Sequence, residues 1–110
     1  MNQRSNTPHV SIPREKIETF CKTHYITDLA LFGSVLTDNF TEGSDVDILV
    51  EFDPAHIPGL FAIVEMENEL TLIVGRKADL RTPQDLSRYF RDDVIKQAYP
   101  IYGKGQFCTH

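Results

Sequence analysis

The hydrophobic positions change period several times along the chain, and each change marks an element. Ile17, Phe20, Cys21 and Tyr25 recur at the three-to-four spacing of one helix face, and Ser11 with Pro13 ahead of them resembles a helix start. This predicts a helix over 13–24. Residues 28–32 (DLALF) read as a short buried strand ended by Gly33, with Ser34 placed to cap a short helical turn before the polar loop 37–44. Strict alternation then runs over 45–52: Val46, Ile48, Val50 and Phe52 fall on one face, Asp45, Asp47, Leu49 and Glu51 on the other, and Asp53-Pro54 closes the strand. Helical spacing returns over 58–74, with Leu60, Ile63, Val64, Leu70, Ile73 and Val74 facing inward and Gly75 as the stop. Residues 77–82 (KADLRT) read as a third strand. Thr82, Pro83 and Asp85 resemble a capping box that opens a helical region to about 98, and after Pro100 the tripeptide IYG reads as an edge strand. The order predicts an α+β domain, a small mixed β-sheet flanked by helices.

Composition narrows the function classes. At 110 residues the chain has room for one domain, expected over 11–103, with a disordered start at 1–10 and a flexible tail at 104–110. Acidic residues outnumber basic ones 16 to 11, and no lysine or arginine run forms an electrostatic track, which argues against direct nucleic-acid binding. No apolar stretch approaches the roughly 20 residues of a membrane span and the start lacks a secretory pattern, so no membrane partner and a cytoplasmic location are expected. Cys21 and Cys108 show no metal-type spacing and read as reduced thiols.

The chemistry concentrates in residues 31–52, LFGSVLTDNFTEGSDVDILVEF. Asp45 and Asp47 point the same way from one strand, their alpha carbons about 6.5 to 7 Å apart. Two carboxylates about 4 Å apart repel by roughly 4 kcal/mol at an effective dielectric near 20, which favours protonation of one or capture of a divalent cation. Hard oxygen donors select magnesium or manganese over zinc. An isolated DxD is more often a turn and an exposed strand edge, and an isolated Gly-Ser after a strand is more often a plain turn. Gly33-Ser34, however, lies just before the pair in sequence and at the end of the preceding strand, where turn N–H groups and a serine hydroxyl can cradle phosphate oxygens.

The combined Gly-Ser and DxD pattern resembles the minimal nucleotidyltransferases of the DNA polymerase beta-like superfamily. The likeness extends from about Ile17 to Tyr102: VEFDP matches the family's strand ending in acidic-Phe, and KADL its third-acid strand. The resemblance implies a polymerase beta palm-like nucleotidyltransferase fold and a third carboxylate, Asp79, whose default alone would be a surface salt bridge with Arg76, Lys77 or Arg81. It implies Asp45, Asp47 and Asp79 as catalytic and metal-binding residues, with two Mg2+ ions, and Gly33 and Ser34 as binders of the phosphates of ATP. Free-standing members of this size resemble the antitoxin of HEPN toxin pairs. This implies a HEPN toxin as partner and AMP transfer to one of its tyrosines, or alternatively neutralisation of that toxin by binding alone. One departure is that many relatives carry arginine directly after Gly-Ser, where this chain has VLTDN at 35–39.

Other polar and aromatic residues receive no role. His9, His24, His56 and His110 lack ligand spacing, and Glu51 lies about 13 Å along the strand from Asp47. Phe61, Tyr89 and Phe90 fit helical packing, and the acidic stretch 65–69 fits a solvated helix face.

Overall fold

The structure is a computed structural model that describes residues 8–104 and 107. Helix α1 (Arg14–Thr23) leads into strand β1 (Ile26–Phe32) and a 3-10 turn (Gly33–Leu36). After a loop come β2 (Val46–Phe52), a second 3-10 turn (Pro54–His56), helix α2 (Leu60–Val74) and β3 (Ala78–Arg81). A third 3-10 turn (Pro83–Asp85), helix α3 (Arg91–Gln97) and β4 (Tyr99–Tyr102) complete the chain. The strands form one mixed sheet in the order β3-β2-β1-β4. β1 runs antiparallel to both neighbours, while β2 and β3 are parallel and joined through α2. The expected α+β class and small mixed sheet are what the structure shows.

The alternation of β2 divides the interior in two. Val46, Ile48, Val50 and Phe52 face a core shared with Ile17, Phe20 and Cys21 of α1, Met66 and Leu70 of α2, and Leu29 and Leu31 of β1. Cys21 is a free thiol whose pKa burial, with a smaller push from Asp28, raises to about 12, so it stays protonated. On the opposite face Leu49 meets Ala30 and Phe107 in a smaller cluster. Phe107 is 9% exposed, which places one residue of the expected loose tail against the sheet. Most of that tail, Cys108 and most of the expected disordered start lie outside the described residues. No helix among the described residues is long and apolar enough to cross a membrane.

The structure departs from the sequence expectations at four places. The helix expected over 82–98 is broken: the capping box of Thr82 and Asp85 forms, but it opens only a single 3-10 turn, because Leu86 is extended (φ −86°, ψ 144°) and packs on the smaller cluster. Arg91 holds this bend by donating to the carbonyls of Pro83 (2.7 Å) and Leu86 (3.1 Å). On α2 the buried stripe is Met66, Leu70 and Val74, whereas Leu60 and Val64 project outward, Leu60 being 77% exposed. Phe61, Tyr89 and Phe90, expected in packing, are likewise exposed. Tyr25 leaves the α1 face altogether at φ 58° and stacks on His56 with ring centres 3.8 Å apart.

The free edge of β3 is finished by side chains of α2. The Ala78 N–H donates to Thr71 Oγ1 at 3.0 Å and the Leu80 N–H to Glu67 Oε2 at 2.8 Å. An edge strand of four residues would otherwise leave these donors with no strand partner.

Candidate active site

Three elements bring the acidic residues to one end of the sheet. Asp47 is the second residue of β2; its register partner on β1 is Phe32, immediately before Gly33, and its partner on β3 is Asp79. Neighbouring strands lie about 4.8 Å apart, so the two carboxylates stand side by side on the face opposite the main core. Asp45 precedes β2 and is exposed. Gly33 supplies the space: it has φ +80°, and a β-carbon built there would fall 2.5 Å from Asp47 Oδ2. Only a residue without a side chain lets the turn pass this close to the carboxylate.

Electrostatics report the same convergence. The Asp47 carboxyl is held above the ordinary aspartate range, first by burial and then by the charges of Asp79 and Asp45, with Arg81 opposing the shift. Arg81 meets Asp79 Oδ2 through two nitrogens, at 3.1 and 3.3 Å. The salt bridge expected of an isolated Asp79 thus exists, with Arg81 rather than Arg76 or Lys77, and it coexists with the juxtaposition to Asp47. Arg76 is engaged elsewhere: it lies 4.6 Å over the Phe40 ring and donates to the Thr41 carbonyl, fastening the loop that leads to Asp45. In the turn itself the Ser34 carbonyl accepts from the Thr37 N–H (2.9 Å) and hydroxyl (3.0 Å). Glu51 pairs with Asp28 farther along the same face and is not part of the group.

Residues 14–102 match the nucleotidyltransferase domain family. The chain belongs to that family. It is 30% identical over 91 residues to the protein adenylyltransferase MntA of Thermococcus cleftensis, covering 76% of this chain and 90% of the relative. Among solved structures, a chain of a toxin-antitoxin complex with AMP-PNP superposes with a TM-score of 0.67 at 22% identity, covering 84% of this chain and 75% of that one. A chain from the complex of a tri-AMPylated Shewanella oneidensis HEPN toxin with MNT antitoxin gives 0.59 at 22% identity, covering 83% and 70%. At these identities the two superpositions establish the fold alone.

The resemblance implies divalent ions at these acids. Among the described residues no group of three acidic, histidine or cysteine side chains closes on a common point, and one oxygen of Asp79 is engaged by Arg81. By donor type Asp45, Asp47 and Asp79 are hard oxygen ligands of the kind magnesium takes, and the charge of Asp47 is opposed by both neighbours. The absence of a β-carbon at Gly33 keeps the turn from colliding with Asp47 Oδ2.

One feature of this site is absent from the sequence expectations: a cavity of about 430 Å³ beside Gly33, walled by Phe32, Leu36, Leu86, Phe90 and Val94. Its far wall comes from the segment that reads as continuous helix, so no local sequence signal marks it.

The raised pKa of Asp47 has a consequence for stability. Its carboxyl binds a proton more tightly in the folded than in the unfolded chain, so its contribution is fully present below the ordinary aspartate value and is lost as pH rises through the raised folded value. Thermal melts in chelator, from about pH 4 upward, should show the wild type losing stability relative to Asp47→Asn. A constant difference between the two curves contradicts the coupling.

Proposed function

We infer that this nucleotidyltransferase moves AMP from magnesium-ATP to a tyrosine hydroxyl of a partner HEPN toxin and thereby acts as its antitoxin. The observation that carries the reading is the pairing of Asp47 with Asp79 across β2 and β3, directly against the Gly33 turn. It is supported by the relative named as a protein adenylyltransferase and by the shared fold with a complex of an AMPylated HEPN toxin and MNT antitoxin. The acidic balance, with net charge −5, fits a protein acceptor better than a polynucleotide.

In this reading Asp45, Asp47 and Asp79 would be the residues that hold two magnesium ions, which would supply positive charge to the phosphates during transfer. Gly33 and Ser34 seat the terminal phosphates with turn N–H groups and the serine hydroxyl. Asp79 accepts the proton of the incoming hydroxyl as its oxygen bonds to the α-phosphorus; the bond from that phosphorus to the bridging oxygen breaks, and pyrophosphate leaves. The apolar cavity beside Gly33 borders this position and offers the base a dry wall.

A second reading, neutralisation by binding alone, is favoured by one observation. No basic residue stands at 35–39 to help hold the triphosphate, and Val35 is buried in the core. Mass measurement of a co-purifying partner before and after incubation with ATP and magnesium separates the two. Addition of one or more AMP units is expected; a neutralised partner of unchanged mass would establish masking instead.

A further inference from the structure

We propose that Glu67 is a positioning residue for Asp79, acting through the backbone of β3; this deepens the nucleotidyl-transfer reading and rests on it for the role of Asp79. The donors that flank Asp79, the N–H groups of Ala78 and Leu80, point away from β2 and are accepted by Thr71 Oγ1 (3.0 Å) and Glu67 Oε2 (2.8 Å). The Thr71 hydroxyl donates in turn to the Glu67 carbonyl at 2.8 Å, so the two acceptors form one unit. Their spacing matches the strand: four helix residues rise about 6 Å and two strand residues span about 6.6 Å. One turn of α2 therefore replaces the missing fifth strand at the two positions that bracket the third carboxylate.

Asp79 depends on this arrangement more than Asp47 does. β2 is central and hydrogen-bonded on both sides, whereas β3 is a four-residue edge strand with β2 as its sole strand partner among the described residues. Ala78 and Leu80 send their side chains into the main core, 4% and 5% exposed, which turns Asp79 to the opposite face. The two bonds to α2 fix the height and twist of the strand at that point, and with them the separation of Asp79 from Asp47. A shift of about 1 Å in a reacting group is enough to lower a rate by about 100-fold. Glu67 needs only to accept, so an amide oxygen should serve in its place.

The test compares the full chain with Glu67→Met and Glu67→Gln, using Asp79→Asn as reference. Amide exchange is followed at Leu80, with Leu29 and Val50 in the central strands as controls. Label transfer from α-labelled ATP to the co-purified partner is followed in parallel. Glu67→Met should free the Leu80 amide to exchange and lower kcat by about 100-fold with KM for ATP unchanged, while Glu67→Gln retains slow exchange and transfer. Slow exchange at Leu80 in Glu67→Met, or a Glu67→Gln as deficient as Glu67→Met, overturns the proposal. Full transfer by Asp79→Asn would instead remove the role of Asp79, a failure the exchange data distinguish. If Glu67→Met does not fold, Thr71→Val makes the same test at Ala78: fast exchange there with reduced kcat is expected, and wild-type behaviour in both overturns the proposal.

Discussion

Asp47→Asn should lower nucleotidyl transfer by about 1,000-fold or more, a barrier increase of about 4 kcal/mol, in a protein that melts no lower than the wild type in chelator. The size follows from position. Asp47 is the one acid placed between the Gly33 turn and another carboxylate, with Phe32 of β1 on one side and Asp79 of β3 on the other. Asparagine keeps the shape and one oxygen but removes the charge that, in the proposed mechanism, would hold a divalent ion. Stability moves the other way because burial, Asp79 and Asp45 all oppose the ionised form of Asp47, so removing its charge relieves the metal-free site. Single-turnover transfer and a thermal melt measured on one preparation check both halves. Equal turnover by the two proteins sinks the assignment of Asp47, and a collapsed melt would show that the carboxylate serves the fold instead.

The parts of this site legible in sequence are those governed by strand alternation. Period two put Val46, Ile48 and Val50 on the core face, and the same rule put Asp47 opposite them; burial in the structure follows that division. The register that sets Asp47 beside Asp79 was not legible by spacing alone, since the two are 32 residues apart by number and meet only because α2 carries the chain back parallel to β2. Resemblance supplied that residue. Helical faces were read less well. Leu60 and Val64 lie about 80° and 120° around the helix from Leu70, off the stripe of Ile63, Met66, Leu70 and Val74 that turns toward the sheet, and apolar character alone does not mark that offset. The break after Asp85 has no local sequence signal for a different reason: a capping box marks where a helix begins, while its end here is set by Arg91 reaching back to two carbonyls, a tertiary contact.

Gly33→Ala is the second substitution with a large expected effect, and Gly75→Ala is its natural control. Both glycines hold left-handed backbone, φ +80° and +78°, so alanine carries a similar conformational penalty at each, about 1 to 2 kcal/mol. For a domain of this size that lowers the melting temperature by roughly 5 °C per kcal/mol. Their surroundings differ. Nothing lies within 4 Å of a β-carbon at Gly75, the C-terminal cap of α2, whereas at Gly33 the new methyl would overlap Asp47 Oδ2. The carboxylate would have to turn or the 3-10 turn lift, and either separates the acid from the N–H groups proposed to seat the phosphates. Gly33→Ala should therefore lose transfer by about 100-fold on top of its lower melting temperature, while Gly75→Ala loses stability alone. Melting temperature and kcat measured for both variants decide the matter: equal activity in the pair would mean that the close approach of Gly33 to Asp47 has no part in the chemistry.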